Sequence, residues 1–389
     1  MTGFEFCLPT RIVFGPGKLS RIGELAKPLG IKAALISDKP LTELGLVARV
    51  KQYLHERQIE TVEFTEVTPN PLSTMINEVT SSMKGEKIDL VVGIGGGSPI
   101  DFAKAVAIAL THPGDIWNYI DVGGKSISYA TGTVLPIIAV VTTSGTGSEV
   151  TPYSVLTNPK TSEKCGIVCD KVFPRISIVD PELTRSMPPK VTASTGVDAL
   201  SHSVESYLNK DPHGYSEVAA LQAIRLVSAN LPTAVAAGKN LEDRSRMAWA
   251  ATLAGIAISH ANTTLVHAMG HPISGRFNVG HGEAMALGLP VMMRHSWMLN
   301  MEKFASIAEA MGVDTRRLSL KEAAKKSVEA MATLLEEVRL NLRLRDYGVK
   351  ESDLKNLAKD ATGYMIGCLE SHPHKFSIEE VTEFYREML

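Results

Sequence analysis

Cysteine is scarce in this sequence. Only four cysteines occur among 389 residues, at positions 7, 165, 169 and 368. So few cysteines cannot form the disulfide framework of a secreted domain, and they favour a reducing, cytoplasmic environment. Cys165 and Cys169 are four residues apart, but no second thiol pair accompanies them. We therefore interpret both as small apolar residues and predict no cysteine-based zinc site.

Excess charge and long apolar segments are also lacking. The formal net charge is −2, which gives no electrostatic reason to expect binding to nucleic acid or to an anionic membrane surface. The first residues contain no basic segment followed by an apolar run, so we expect no signal peptide. No apolar stretch is expected to reach the roughly 18 residues of a membrane span.

The chain of 389 residues is longer than one hydrophobic core usually supports, so two domains are expected. In the first half, strand and helix patterns alternate, and residues 88–94 and 134–141 have the apolar composition of strands buried in a parallel sheet. After Pro188 and Pro189, helical periodicity continues to the end. The sequence predicts an α/β dinucleotide-binding domain with a parallel sheet at 1–187 and an all-α domain at 188–389.

Three histidines lie within fifteen residues of the second half. His267 and His271 are four residues apart, so on a helix they share one face, and Pro272 is predicted to end that helix. His281 lies between two glycines, where the backbone can approach a ligand closely. Upstream, Asp198 and His202 repeat the four-residue spacing. A single histidine of this kind is more often a hydrogen-bonded core residue, but this combination indicates a metal site.

Two glycine-rich segments follow the apolar strands. In the first, Gly95, Gly96 and Gly97 precede Ser98 and Pro99, which we predict as the N-cap and first residue of a helix. Such a helix start binds phosphate groups well, although it can also be only a tight turn. The segment lacks the Walker lysine, so a nucleoside triphosphatase is not expected. The second segment, at 142–150, follows the next apolar strand. Two such segments after two parallel strands suggest that they contact one extended ligand, a dinucleotide.

A carboxylate follows the second predicted strand. Asp38 can accept hydrogen bonds from ribose hydroxyls and repels a 2′-phosphate, which favours NAD over NADP. The alternative interpretation of Asp38 is a simple turn or helix-cap residue.

Together these segments resemble the iron-containing, metal-dependent alcohol dehydrogenases, also called group III, which share their dehydroquinate synthase-like fold with glycerol dehydrogenase. The resemblance extends over essentially the whole chain. It rests on residues 14–17, 95–99 with Asp101, 142–143 with 145–146, 179–184, 196–202, 254–257, 266–267 with 271–272, and 277–278 with 281–282.

The resemblance implies a set of site residues. Asp198, His202, His267 and His281 would bind one divalent metal, and His271 would lie beside the nicotinamide as a candidate for proton relay. The implied cofactor contacts, besides His271, are Asp38, Asn70, Gly97, Ser98, Thr142, Thr143, Thr151, Lys164 and Leu183. The implied substrate pocket contains Tyr153, Ile258 and Thr263. Two departures from the family bear on pocket shape and charge: His260 stands where asparagine is common, and His372 with His374 where Asn-Pro-Arg is common.

The four proposed ligands also make chemical sense on their own. Three neutral imidazoles and one carboxylate suit iron(II), with zinc as the alternative, and they differ from the oxygen cage that calcium requires. An open coordination position would let the ion polarise the substrate oxygen while hydride passes between substrate and NAD(H). Imidazole is a common general base, so His271 is the predicted catalytic residue.

Other reaction classes fit the sequence less well. A short-chain dehydrogenase needs Tyr-x-x-x-Lys, which is absent, and four scattered cysteines cannot build the zinc lobe of medium-chain dehydrogenases. A dehydroquinate-synthase-like lyase must bind a phosphorylated, carboxylated substrate, so its cleft should be rich in Lys and Arg. Between His260 and His281 only Arg276 is a lysine or arginine. A silent binding protein is the least favoured alternative, since all the ligand positions are filled.

The predicted substrates are therefore short primary alcohols or diols and their aldehydes, because the pocket positions are mostly uncharged. The alternative is a glycerol or hydroxy-acid dehydrogenase, in which Arg276, His372 or His374 could bind a carboxylate. No nucleic-acid or membrane partner is expected. A homodimer is the default expectation for a soluble enzyme.

Overall fold

The computed structural model describes residues 3–389, and these residues divide into two compact units. The first, here called the sheet unit, comprises Leu8–Thr143 and Ser148–Thr184. The second, the helical unit, comprises residues 3–7, Ser144–Gly147 and Arg185–Leu389. The sequence-based division into domains 1–187 and 188–389 stays a prediction.

Within the described residues, all strands belong to the sheet unit. Six of them form one parallel sheet in the order β1-β8-β5-β4-β2-β3, so the predicted parallel sheet is confirmed. Every residue of β4 and β5 is buried, as expected for apolar strands covered on both faces. The strands are β1 (Arg11–Phe14), β2 (Lys32–Ile36), β3 (Glu60–Phe64), β4 (Leu90–Gly95), β5 (Ile137–Val141), β6 (Tyr153–Thr157), β7 (Lys164–Val168) and β8 (Ile176–Val179).

Three short strands are not predicted from the sequence. β8 lies between β1 and β5 in the sheet, and β6 and β7 form a separate antiparallel hairpin. Each of these strands is only four or five residues long, so the period-2 pattern has too few repeats to stand out. Two residues that the family resemblance implies for the site, Tyr153 and Lys164, each begin one strand of this hairpin.

The helices of the sheet unit are α1 (Ile22–Ala26), α2 (Lys39–Glu43), α3 (Leu46–His55), α4 (Ser73–Met83) and α5 (Gly97–Ala109). Among them, α3 packs on β3, and α5 packs on β2, β4 and β5. α5 begins earlier than predicted, since Gly96 rather than Ser98 is its N-cap and Pro99 is the third helical residue. Proline is tolerated there because the first amide groups of a helix have no intrahelical acceptor.

The helical unit contains no strand within the described residues, as the periodicity predicts. Its long helices α6, α7 and α8 pack against one another. The helices are α6 (Pro189–Leu208), α7 (Gly214–Ala236), α8 (Leu241–Ala261), α9 (Leu265–Phe277), α10 (His281–Ser296), α11 (Met301–Ala310), α12 (Leu320–Glu337), α13 (Leu354–Thr362), α14 (Ile366–Ser371) and α15 (Ile378–Met388).

One of these helices corrects the expectation about membrane spans. By length and composition alone, the 23 residues of α7 are apolar enough to cross a membrane. The expectation counted only apolar stretches and overlooked a helix in which a few polar residues interrupt the apolar ones. α7 packs against both α6 and α8, and the core helix of a soluble protein can have the same composition. One such helix is weak evidence for a membrane span.

Helix α9 corrects the prediction that Pro272 ends it, because the helix continues to Phe277. The missing proline N–H removes only the bond to the carbonyl of Ala268, four residues earlier. All residues from Leu265 to Ser274 are buried, so packing from every side holds this stretch in place. The Tyr385 hydroxyl also donates a hydrogen bond of 2.8 Å to the Met269 carbonyl in the same turn.

Candidate metal centre and cofactor site

The helical unit brings the four predicted metal ligands together. Asp198 and His202 lie one turn apart on α6, His267 is on α9, and His281 is the first residue of α10. One ligand atom from each of the four lies within 4.8 Å of the others. The Asp198 Oδ1 atom is 3.4 Å from Nε2 of His281 and 3.8 Å from Nε2 of His202. This spacing is small enough for all four side chains to contact one ion.

The chemistry of these side chains fits a divalent cation. Within residues 3–389, neither Asp198 Oδ1 nor His267 Nε2 has a hydrogen-bond partner, although both atoms are buried. Buried polar atoms without partners are rare, because their loss of hydration is uncompensated. Burial lowers the pKa of His202, against the opposing effect of the Asp198 carboxylate, so its imidazole is held in the neutral, metal-binding form. Neutral nitrogens and a carboxylate are the ligands that iron(II) and zinc accept.

His271 lies beside this cluster but is not among its four members. Its ring centroid is 5.3 Å from that of His281 and 6.0 Å from that of His267. The residue is buried and follows His267 by one turn of α9, as its spacing predicts. The arrangement places one additional titratable imidazole next to the four side chains that could hold the ion.

A buried glutamate that the sequence analysis did not single out contacts the cluster. Glu205, near the end of α6, is fully buried, and its carboxylate accepts a hydrogen bond from the Nδ1 atom of His267. It also accepts backbone N–H groups at the start of α9. Burial alone would raise the pKa of Glu205, but the His267 ring and these hydrogen bonds outweigh it and hold the pKa at about 2.

The second glycine-rich segment has an unforeseen packing role. Residues Ser144–Gly147 belong to the helical unit. A Cβ atom on Gly145 would lie 2.8 Å from the Thr195 carbonyl oxygen of α6. Gly147 has a φ of 63°, and a Cβ there would lie 2.4 Å from the Gly255 Cα of α8. These glycines therefore allow the segment to lie directly against two helices, whatever ligand the neighbouring threonines contact.

In the sheet unit, the first glycine-rich segment leads into α5 as predicted. Gly97 and Ser98 are the first two residues of this helix, and both are partly exposed. A Cβ atom on Gly96 would lie 2.9 Å from the Thr143 side chain. The Thr142 amide donates to the Gly95 carbonyl at 3.0 Å. The structure therefore brings four of the implied cofactor residues, Gly97, Ser98, Thr142 and Thr143, to the ends of the neighbouring strands β4 and β5.

Asp38 is the N-cap of α2. Its Oδ1 atom accepts the Leu41 N–H at 3.0 Å, and burial raises its pKa while this bond opposes the shift. The helix-cap interpretation of the sequence therefore applies to one carboxylate oxygen, and a ribose contact through Asp38 stays a prediction. Leu183 is buried in a 3-10 turn at Pro181–Thr184.

A buried lysine that the sequence analysis overlooked organises the segment after the second glycine loop. Lys104 on α5 is fully buried. Its Nζ donates to the carbonyls of Ser148, Thr151 and Tyr153 at 2.7–2.9 Å. Burial lowers the pKa of Lys104 to about 8. The Ser148 hydroxyl in turn donates to Asp101. This network sets the backbone position of Thr151 and Tyr153, two of the implied site residues.

The remaining implied residues lie in both units. Asn70 and Lys164 are hydrogen-bonded to each other in the sheet unit. In the helical unit, Ile258 is buried on α8, and Thr263 lies in the turn between α8 and α9 with its Oγ1 atom 3.5 Å from the Cys368 Sγ.

The chain is similar to known proteins over nearly its whole length. The family model described as iron-containing alcohol dehydrogenase matches residues 9–181, and that of the C-terminal domain of the same family matches residues 192–389. The chain is 42% identical to a 1,3-propanediol dehydrogenase of Citrobacter freundii over 387 residues, which is 99% of this chain and 98% of the relative.

Two further proteins are similar to this chain over nearly the full length of both chains. The chain is 32% identical to an NAD-dependent methanol dehydrogenase of Bacillus methanolicus, covering 99% of this chain and 100% of the relative. The crystal structure of a 1,3-propanediol oxidoreductase superposes with a TM-score of 0.94 at 41% identity, covering 100% of both chains. At this identity the similarity extends beyond the fold.

Proposed function

The chain belongs to the iron-containing alcohol dehydrogenase family, and from this premise we propose that it interconverts short primary alcohols or diols and their aldehydes with NAD(H). The observation that carries the proposal is the cluster of one carboxylate and three imidazoles whose ligand atoms lie within 4.8 Å of one another. Relatives named as 1,3-propanediol and NAD-dependent methanol dehydrogenases support the substrate class and the cofactor.

The four clustered side chains, Asp198, His202, His267 and His281, are the proposed ligands of one divalent ion, iron(II) with zinc as the alternative. When bound, the ion supplies a Lewis acid for the substrate oxygen, and NAD(H) accepts or donates the hydride. The protein contributes the positions of the ligand atoms. Asp198 and His202 are fixed one turn apart on α6, and His267 is oriented by its contact with Glu205.

We propose His271 as the general base and acid. In alcohol oxidation, one of its ring nitrogens accepts the proton of the substrate hydroxyl, and in aldehyde reduction the same nitrogen returns it. An imidazole suits this role because its unperturbed pKa lies near neutral pH. The ring distances of 5.3 and 6.0 Å to His281 and His267 support a position beside the reacting oxygen.

Cofactor binding is proposed at the residues implied by the family. Gly97 and Ser98 offer backbone amides at the N-terminus of α5, where phosphate groups bind favourably. Asp38 would favour NAD by repelling a 2′-phosphate. The other proposed contacts are Asn70, Thr142, Thr143, Thr151, Lys164, Leu183 and His271.

The charged groups around the proposed site support an uncharged substrate over a hydroxy acid. The three groups proposed for binding a carboxylate have other partners. Arg276 pairs with Asp360, the His372 ring contacts Ser296, and the His374 ring lies against Phe376. Near the metal site, the charges of Asp198 and Glu205 balance those of a divalent ion, so no excess positive charge would attract an anion. Tyr153, Ile258 and Thr263 are uncharged and stay the proposed substrate contacts.

Location and assembly are part of the proposal. Within residues 3–389, none of the four cysteines forms a disulfide, which supports a cytoplasmic location. A homodimer is proposed because closed dimers are the commonest oligomers of soluble enzymes.

An absorbance assay at 340 nm tests this function. Metal-loaded protein is mixed with NAD and, separately, with a short primary alcohol, 1,3-propanediol, glycerol or a 2-hydroxy acid. We expect NADH to form fastest with the alcohol or diol, and NADH to be consumed with the matching aldehyde. A best rate with the hydroxy acid contradicts the proposed substrate, and no turnover with any compound contradicts the oxidoreductase itself. The Asp198→Ala variant is the control for metal-independent activity.

A further inference from the structure

The two carboxylate oxygens of Glu205 accept hydrogen bonds from different parts of the helical unit. Oε1 accepts the backbone N–H groups of Thr264 and Val266, both at 2.9 Å, and of His267 at 3.3 Å. It also accepts the Thr264 hydroxyl at 3.1 Å. The Thr264 amide belongs to the N-cap residue and the other two lie in the first turn of α9, where amides have no acceptor within their own helix. Oε1 therefore holds the start of α9 against α6.

The other oxygen faces the imidazole of His267. Oε2 accepts a hydrogen bond from Nδ1 of His267 and, at 3.0 Å, one from the Ser201 hydroxyl. An ionised carboxylate only accepts hydrogen bonds, so the proton of this ring must be on Nδ1. The Nε2 atom then carries a lone pair, and in the part of the chain that the structure describes this buried atom has no hydrogen-bond partner. This is the atom available to a metal ion.

A purely structural role explains only half of this arrangement. Capping α9 requires one acceptor at its first amides, which Oε1 provides. It does not require Oε2 to contact the ring of a metal ligand. Outer carboxylates that orient a ligating histidine typically raise metal affinity by about 10–100-fold, because they fix the ring tautomer and increase its basicity.

We propose that Glu205 is a positioning residue of the metal centre, which fixes the Nδ1–H tautomer of His267 and thereby strengthens divalent metal binding. The inference rests on the proposed metal-dependent function. Glu205 contacts neither substrate nor cofactor in this role, and it acts through His267.

Metal titration of the Glu205→Gln variant tests the proposal. Glutamine can still accept the α9 amides through its oxygen, but it lacks the negative charge. We expect the zinc dissociation constant, measured on metal-stripped protein by competition with a chromophoric chelator, to rise about 10–100-fold. The visible spectrum of the cobalt(II) form should shift. Ser201→Ala is the matched control, since it removes one hydrogen bond to Oε2 but keeps the charge, and its dissociation constant should change less than about threefold.

The outcomes separate this inference from the proposed function. Wild-type protein that binds no zinc contradicts the metal-dependent function. Wild-type protein that binds zinc tightly, with Glu205→Gln within twofold of it, overturns only the role of Glu205. If Glu205→Gln does not fold, the tautomer of His267 in wild-type protein tests the role of Glu205. This is measured by NMR on metal-stripped wild-type protein labelled with ¹⁵N-histidine, in which the His267 signals are those that disappear in His267→Gln. We expect them to show the proton on Nδ1. A proton on Nε2 overturns the proposal.

Discussion

The ammonium group of Lys164 lies 2.9 Å from the Oδ1 atom of Asn70, although 94 residues separate them in the chain. Lys164 is buried, and Asn70 adopts a left-handed backbone conformation with a φ of 52°. The pair joins the start of β7 to the loop before α4. Two of the residues implied as cofactor contacts are thus held together by a bond that no local sequence pattern shows.

Replacing Lys164 by Met should weaken NAD binding. A hydrogen bond to a charged group contributes about 1.5–3 kcal/mol, so the dissociation constant for NAD should rise at least about tenfold. Isothermal titration of metal-loaded protein measures it. Lys160→Met, at an exposed position of the same hairpin, should leave it unchanged. Equal NAD affinity in Lys164→Met and wild-type protein would remove Lys164 from the cofactor site.

Replacing Asp38 by Asn should relax the preference for NAD over NADP. Asparagine is as good an N-cap as aspartate, so the bond to the Leu41 amide and the Tm should be kept while the charge is lost. We expect kcat/KM with NADP to rise at least about tenfold, since repulsion of the 2′-phosphate disappears. Asp38→Ala, which also removes the cap, is the comparison for stability. An unchanged NADP to NAD ratio in Asp38→Asn speaks against a cofactor role for Asp38.

The clustered imidazoles and His271 should differ in what their removal does. His267→Ala should abolish both bound metal and activity, because one ligand is lost and the buried Asp198 carboxylate is left less compensated. His271→Ala should keep the metal and lower kcat by about 100-fold or more, as expected for loss of a general base. Elemental analysis of the purified variants gives metal content. Metal retained in His267→Ala, or lost in His271→Ala, contradicts the assignment.

Two glycines with positive φ should respond differently to alanine. Gly45 has a φ of 75°, and among residues 3–389 no heavy atom, apart from its own and those of its chain neighbours, lies within 4 Å of the position that a Cβ would occupy. Gly147 has a φ of 63°, and a Cβ there would lie 2.4 Å from the Gly255 Cα. Gly45→Ala should cost about 1 kcal/mol for the left-handed backbone alone. Gly147→Ala should cost at least about 3 kcal/mol, because helix α8 must move. Guanidinium unfolding of both variants checks this, and equal costs would refute a steric role for Gly147.

His372 should make the protein sensitive to mild acid. Burial lowers its pKa from 6.5 to about 4, so the unfolded chain binds more protons than the native state between these values. Its contribution to stability is complete above pH 6.5 and is lost as the pH falls towards 4, by up to about 3 kcal/mol. Unfolding measured between pH 7 and 4 should show a shallower loss of stability in His372→Gln. The same pH slope in both proteins would contradict the prediction.

Much of the fold and of the metal site is predictable because the relevant patterns are local. The apolar strands around β4 and β5 identify a parallel sheet, and the four-residue spacing of Asp198 and His202 places them on one helical face. The family resemblance then joins them to His267 and His281. The structure brings these four side chains together as the sequence analysis expects.

What local patterns miss depends on contacts between distant segments. In the sequence, nothing distinguishes Glu205 from other helical glutamates. Its contacts with the start of α9 and with His267 lie 59–62 residues further along the chain. From the sequence alone, Gly145 and Gly147 could equally belong to a phosphate-binding loop or allow a close approach to two helices. Only the neighbouring atoms in the structure distinguish these roles. Pro272 ends a helix in isolation, but burial on all sides keeps α9 intact.

The ammonium of Lys104 has a consequence for protein engineering. It donates to the main-chain oxygens of residues 148, 151 and 153, and these oxygens are present whatever the side chain at position 153. Variants with other side chains at position 153 should therefore retain these three main-chain bonds. Transplanting this loop into a homologous scaffold requires the matching lysine on the preceding helix, because the graft would otherwise lose its common anchor.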